Sequence, residues 1–290
     1  MGALRASAIL TGFFVLTVPL MPVQALLVRL SPRAARRFPH WYHRQVCRLM
    51  GIHLTIDGAV ANDAPVLLVC NHTSWLDIPV LSAVAPLSFV AKKEVGGWPF
   101  VSSLARLQRT VFVDRNKRQA AGDAADEIST RLDDGDTIVL FAEGTSSDGN
   151  RVLPFKTSLF GAVRTDTTGA NRTVVQTAAI VYTHLHGVPL GRADRPRVGW
   201  YGDMEMQTHA WGVLKSGPLA VTIQVSPPVP LDSFAGRKEL ALSSERAVRK
   251  AVLGLLRGRP GSVDLLPVEP DENRRKQRFP TATISTEKWT

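Results

Sequence analysis

Asn71-His72-Thr73-Ser74-Trp75-Leu76-Asp77 is the stretch on which the reading of this chain turns. It follows Val66-Leu67-Leu68-Val69, an apolar run that reads as a buried strand. A His and an Asp therefore stand just past a strand's carboxyl end, where open α/β sheets place their chemistry. Further along, a second apolar run, Thr137-Ile138-Val139-Leu140-Phe141, leads into Glu143-Gly144-Thr145-Ser146. Two strand ends that each deliver polar groups point to one site built from two loops.

A His supplies a base near neutral pH, and a carboxylate beside it fixes its tautomer and stabilises the imidazolium. On a regular helix of about 3.6 residues per turn, residues 72 and 77 would lie roughly 140° apart. They can meet only if His72 sits in the turn and Asp77 in the first helical turn. Asn71-His72-Thr73-Ser74 would then form the cap region. The competing reading is a capping loop whose His and Asp merely satisfy backbone groups. The pair alone does not choose between the two.

Taken together, the segments resemble the glycerolipid acyltransferases typified by 1-acyl-glycerol-3-phosphate acyltransferase. That family carries Asn-His-x4-Asp first and Phe-Pro-Glu-Gly-Thr-Arg-Ser later. Here the blocks read Asn71-His72-Thr73-Ser74-Trp75-Leu76-Asp77 and Phe141-Ala142-Glu143-Gly144-Thr145-Ser146-Ser147. Between them, Val111-Phe112-Val113-Asp114-Arg115 is similar to the family's Phe-Ile-Asp-Arg block. An apolar strand over residues 174–181 is a loose counterpart of a fourth block that usually contains Pro. The resemblance covers roughly residues 41–227.

The resemblance implies acyl transfer from a thioester to a lipid hydroxyl, with acyl-CoA or acyl carrier protein as co-substrate. It implies no further cofactor and no metal. His72 would be the general base on the acceptor hydroxyl, and Asp77 would orient and polarise it. Arg115, Glu143, Gly144 and Thr145 would contact substrate, and Glu143 would also take part in the site's architecture. Arg115 is a permanently charged fork suited to phosphate or carboxylate. The bland alternatives are a solvated Arg115 and a Glu143 that pairs with Lys156 or Arg151. Attack is direct in this family, and the chain agrees, because it has no Gly-x-Ser-x-Gly elbow. Cys70, at the end of an apolar strand, reads as a packing residue and not as a nucleophile. The Cys and His residues show no spacing typical of zinc ligation.

One departure bears on the acceptor. The lysophosphatidic acid enzymes commonly carry Arg after Glu-Gly-Thr, where it helps hold a phosphate monoester. Here the position is Ser146, with Asp148 close behind. A loop of this composition, followed by Asn150-Arg151-Val152-Leu153-Pro154-Phe155, is more similar to the bacterial lyso-ornithine lipid acyltransferases. Their acceptor has a headgroup bearing both amine and carboxylate. On that reading Asp148 or Glu143 faces the amine, Arg115 the carboxylate, and His72 the hydroxyl of the 3-hydroxyacyl chain. A lysophosphatidic acid acceptor remains the alternative, with Arg115, Arg151 and Lys156 as compensating cations.

Composition sets the surroundings. A chain of 290 residues with 44% hydrophobic content can bury one large core with appendages. Two Cys are too few for a disulfide framework and point to a reducing compartment. A net charge of +10 favours an anionic partner, either nucleic acid or a lipid surface. Residues 8–28 carry no charge, and a bilayer core needs roughly 20 apolar residues to cross. No nucleic-acid module accompanies the charge, so an anionic membrane is the partner expected. Pro19 and Pro22 should kink or split the apolar helix, leaving a monotopic segment as another option. A cleaved leader ending near Val23-Gln24-Ala25 is a further reading of the same stretch. Arg29, Arg33, Arg36, Arg37, Arg44 and Arg48 follow it, against Arg5 alone before it. That asymmetry places the bulk of the chain on the cytoplasmic face of an inner membrane.

Beyond the apolar segment, strands are expected near residues 87–91, 110–113, 174–182 and 219–225, and helices near 38–50, 117–134 and 237–256. Alternating strands and helices argue an α/β fold, a mixed sheet flanked by helices, with an N-terminal membrane-anchoring helical segment. The expected divisions are an anchor and basic flank over 1–37, an acyltransferase domain over 38–262, and a polar, disordered tail over 263–290.

Overall fold

The computed structural model describes residues 1–113, 118–162 and 173–267. Arg115 and most of the expected polar tail lie outside these residues.

Helix α1, Gly2–Leu30, runs unbroken through Pro19 and Pro22, where a kink or split was expected. Its path is set by contact with α2, Pro32–Met50: Gly12 lies against Leu49, and the Thr17 and Tyr42 hydroxyls meet at 2.6 Å. Near its far end, Gln24 donates to the Ala35 carbonyl at 3.0 Å. By length and composition α1 is able to cross a membrane, and Leu4, Val15, Val18, Leu26 and Leu30 stand exposed along it. The second helix starts at Pro32, not at residue 38. The Ser31 side chain accepts from Ala34 N, and Pro at the first helical position has no amide to satisfy. Gly51, in the left-handed region at φ 71°, ends the helix.

The remaining elements follow in order: β1 (Ile52–Asp57), β2 (Val66–Cys70), α3 (Asp77–Ser82), β3 (Ser88–Lys92), α4 (Val101–Leu107) and β4 (Val111–Val113). Then come α5 (Arg118–Asp133), β5 (Thr137–Phe141), β6 (Val174–Leu185), β7 (Val188–Pro189) and α6 (Met206–Ser216). β8 (Leu219–Val225), β9 (Val229–Pro230) and α7 (Arg237–Leu256) complete the described chain. The sheet order is β1-β8-β6-β2-β5-β3-β4, with β7 and β9 paired to β6 off this path. Neighbours along the path are parallel except β6 and β8. The expected mixed α/β sheet is what the chain forms.

Strand β2 lies at the centre, between β5 and β6. Leu67 and Val69 pack on one face with Val248 and Val252 of α7. Val66, Leu68 and Cys70 pack on the other with Val46 of α2 and Val80 and Leu81 of α3. Burial on both faces explains why the run is apolar throughout instead of alternating.

Candidate active site

The site grows out of the parallel register of β2 and β5, which sets Cys70 opposite Phe141. The chains leave the sheet side by side about 4.8 Å apart, so His72 and Glu143 emerge as neighbours. Asn71 holds the first loop to the strand on its other side. Its amide donates to Ile180 O at 3.0 Å and accepts from Ile180 N at 2.8 Å.

From that anchored turn, His72 Nδ1 meets Asp77 Oδ2 at 2.8 Å. Asp77 is the first residue of α3, so the turn-plus-first-helical-turn arrangement expected from the spacing is the one adopted. The direction of capping differs. The loop does not cap the helix with a side chain. Instead Asp77 Oδ2 accepts from the backbone amides of Thr73 (2.7 Å) and Ser74 (3.0 Å). Its other oxygen accepts from the Tyr182 hydroxyl at 2.7 Å. With four donors, a wholly buried carboxylate is held ready beside the imidazole. His72 stacks on Phe141 with centroids 4.2 Å apart, and its side chain keeps 19% exposure. Because Nδ1 is committed to Asp77, Nε2 is the nitrogen left for a substrate.

For Glu143 the resemblance implied acceptor binding and a part in the site's architecture, and the bland alternative was a pair with Lys156 or Arg151; the architectural part is what the structure displays. Glu143 is buried, with Oε1 accepting from His72 N at 2.8 Å and Oε2 from Leu153 N at 2.7 Å. Both oxygens join loop to loop and neither is free to meet an amine. Burial pushes its carboxyl up to about 8, opposed by those two amide donors. Gly144, at φ 73°, turns the chain in the left-handed region, and Thr145 is exposed beyond it.

The serines here make turn contacts. The Ser146 hydroxyl donates to Trp200 O, and Ser147 N donates to His72 O at 2.9 Å. Asp148 accepts from Asn150 through both of its oxygens and stays half-buried. Arg151 and Lys156 are exposed. Cys70 is fully buried and its thiol is pushed well up, first by burial and then by the Asp77 charge, as befits a packing residue.

Two contributions went unread in the sequence. Tyr182 lies within an expected strand, but its contact with Asp77 depends on pairing between distant segments. Residues 191–200 carry no periodicity, yet they wrap the site: Trp200 N donates to Thr73 O at 2.9 Å, and Arg195 Nη1 donates to Asn150 Oδ1 at 3.1 Å.

Known proteins resemble this chain in sequence and in fold. The family model described as Acyltransferase matches residues 51–182. A lyso-ornithine lipid O-acyltransferase of Brucella abortus (strain 2308) is 44% identical over 260 residues, spanning 89% of this chain and 97% of that protein. A 1-acyl-sn-glycerol-3-phosphate acyltransferase of Neisseria meningitidis serogroup B is 32% identical over 182 residues, or 62% of this chain and 67% of that one. The crystal structure of a 1-acyl-sn-glycerophosphate acyltransferase from Thermotoga maritima superposes with a TM-score of 0.63. It shares 23% identity and covers 88% of this chain and 94% of that chain.

Proposed function

The chain belongs to the acyltransferase family, and from that premise we propose that it is a membrane-bound lyso-ornithine lipid O-acyltransferase. It moves a fatty acyl group from an acyl thioester to the hydroxyl of the lysolipid. The observation that carries the chemistry is the His72–Asp77 pair at 2.8 Å, wedged between two loops that Glu143 ties together. His72 Nε2 takes the proton of the acceptor hydroxyl as its oxygen attacks the thioester carbonyl. The C–S bond breaks, and the thiol leaves with the proton that His72 returns. Asp77 keeps the proton of the neutral imidazole on Nδ1 and stabilises the imidazolium in between. Nothing is attached to the protein at any stage, in keeping with the burial of Cys70.

The acceptor reading rests on the 44% identity to the Brucella enzyme and on the loop that carries Ser146 where an Arg would grip a dianionic phosphate. Glu143 is buried and committed to backbone amides of both loops, so Asp148, which is half-exposed and bonded to its near neighbour Asn150, is the loop carboxylate assigned to the headgroup amine. Arg115, outside the described residues, is assigned the headgroup carboxylate. A second reading, 1-acyl-sn-glycerol-3-phosphate as acceptor, is favoured by the likeness to the Neisseria enzyme. The donor is acyl-CoA or acyl carrier protein. Helix α1 and the Arg residues after it hold the enzyme to the inner membrane with the sheet on the cytoplasmic side.

The test presents the purified enzyme with both lysolipids in competition and measures the ratio of kcat/KM. A preference for lyso-ornithine lipid is expected; a preference for the lysophosphatidic acid would reject the acceptor assignment. His72→Ala run in parallel should lose about 10²–10⁴ in rate on either acceptor. Undiminished turnover would reject the base.

A further inference from the structure

The sheet has a second polar focus at its opposite end. Asp136 immediately precedes β5, whose five residues at about 3.3 Å each put it roughly 17 Å or more from the loop that carries Glu143. Three guanidinium groups from separate elements converge on this one carboxylate. Arg36 Nε of α2 lies 2.6 Å from Oδ1, while Arg109 Nη2 and Arg131 Nη2 lie 3.0 and 2.7 Å from Oδ2. Asp136 is 3% exposed and Arg131 8%. One buried carboxylate among three cations leaves an excess of positive charge with little water to screen it.

That excess faces open space. Beside the cluster lies a cleft of about 470 Å³ lined by Arg106, Arg109, Thr110, Phe112, Glu127 and Arg131. Arg106 extends over the Phe112 ring at 5.7 Å, a cation–π contact that holds a fourth guanidinium at the lining. Glu127 is exposed and brings the carboxylates at this place, among the described residues, to two, against four guanidiniums. Arg109 Nη1 is buried and has no hydrogen-bond partner among the described residues. An unpaired buried donor on a cation is costly unless something fills the place.

The backbone there is constrained as well. Arg109 holds φ 61° in the left-handed region, where a non-Gly residue is strained. Its amide donates to Arg106 O at 2.9 Å and its carbonyl accepts from Arg131 Nη1, so the conformation is fixed from both sides. Burial and the neighbouring Arg131 both lower the proton affinity of Arg109, as expected for a cation short of counter-charge. The place is also tied to the apolar helix. Gln24 of α1 donates to Leu107 O at 2.9 Å, just before Arg109, in the part of α1 that ends in the exposed Leu26 and Leu30.

We propose that the Arg106–Arg109–Arg131 cleft binds a phosphate group, supplied by an anionic phospholipid headgroup or by free phosphate, at a site separate from the reacting centre. Phosphate oxygens there accept from the Arg106, Arg109 and Arg131 guanidiniums that line the cleft, and planar guanidiniums suit bidentate contact with such a group. Phosphate there links α4, the turn after it and α5, whose cations otherwise repel one another. The proposal does not depend on which lysolipid is acylated.

The full-length protein is tested for thermal stability with two probes. The first is inorganic phosphate against chloride at equal ionic strength, in neutral detergent micelles. The second is lipid nanodiscs of phosphatidylcholine with or without phosphatidylglycerol. Tm should rise by roughly 3 °C with a probe that fills the site. A rise with inorganic phosphate identifies a site open to soluble anions. A rise with phosphatidylglycerol alone identifies a headgroup site. Arg106→Gln and Arg109→Gln should each abolish the rise, while Arg37→Gln, an exposed cation that does not line the cleft, should keep it. If Arg109→Gln does not fold, Arg106→Gln decides, since that side chain is exposed and makes no contact with Asp136. No rise with either probe, a rise that survives Arg106→Gln, or one lost equally in Arg37→Gln would overturn the proposal.

Discussion

Replacing Asp77 with Asn separates the charge of this residue from its shape. The carboxylate takes three donors on Oδ2, from His72, Thr73 and Ser74, and one on Oδ1, from Tyr182. An Asn carbonyl placed at the Oδ2 position keeps the three. The Asn amide nitrogen then faces the Tyr182 hydroxyl, which can turn its proton away and accept. The variant should therefore fold, losing on the order of 1–3 kcal/mol through weaker hydrogen bonds. What it cannot supply is a negative charge beside the imidazolium. Charges about 4 Å apart at an effective dielectric near 20 interact by about 4 kcal/mol, or about 10³ in rate if the charge is on His72 only in the transition state.

The expected result is kcat down about a thousandfold, KM nearly unchanged and Tm lower by a few degrees. Steady-state kinetics with saturating thioester and a lysolipid acceptor, together with a melting curve, measure all three. A kcat within tenfold of wild type, in a folded variant, would refute the electrostatic role. A rise in KM with kcat little changed would instead show that Asp77 acts on substrate binding.

Tyr182→Phe leaves Asp77 Oδ1 buried without a donor, which should lower stability by about 1.5–3 kcal/mol. Its kcat should fall less than that of Asp77→Asn, because the charge and the contact with His72 remain; equal losses would refute this ranking. Glu143→Gln replaces one acceptor by a donor opposite a backbone amide and should cost on the order of 1–3 kcal/mol. It also alters the response to pH: a carboxyl raised from 4.5 to about 8 on folding stabilises the protein below pH 4.5, and that contribution is lost as pH rises from 4.5 through 8. The Tm difference between wild type and Glu143→Gln should shrink over that window, and a difference that stays constant would show that burial does not raise this carboxyl. Gly149→Ala forces a left-handed backbone at φ 76° and places Cβ 3.1 Å from Thr73 Cγ2, so activity should drop through displacement of the His72 loop; unchanged kcat would exclude that coupling.

What could be read in advance follows the range of each interaction. The His72–Asp77 contact was legible because it is local: a strand end and a fixed spacing leave one way for the two to meet. The central strands were legible because burial on both faces makes their residues apolar without interruption. The partners of Glu143 were not, since they depend on which loop lies beside it, and here both are backbone amides that no side-chain pattern reveals. Tyr182 presents the same difficulty. The parallel pairing of β2 with β6 sets Cys70 opposite Ala178, and only that register aims the phenol at Asp77. Strand β1 did carry a signal, with Ile52, Leu54 and Ile56 alternating with polar residues, but it pairs with distant β8 and is mostly exposed. In α1 the two prolines argued for a break, and the packing of Gly12, Thr17 and Gln24 against other parts of the chain overrides it.

These non-local contacts also connect the apolar helix with the chemistry. Helix α2 lies along α1, and from it His40 Nδ1 meets Ser82 O at 2.8 Å, His43 Nδ1 meets the Ser82 hydroxyl at 2.8 Å, and Cys47 Sγ contacts Pro79 O. All three contacts fall on α3, the helix that begins with Asp77. Burial lowers His43 to about 4, so near neutral pH it is uncharged and its contact with Ser82 is a neutral hydrogen bond. The carboxylate that orients His72 is thus positioned from the sheet by Tyr182 and braced through its own helix by α2. This fixes the His72–Asp77 pair relative to the apolar helix α1, without a flexible linker between the two. On the function proposed above, a rigid relation of this kind lets the hydroxyl of a lipid acceptor approach His72 in a set orientation, which is where positioning contributes most to the rate.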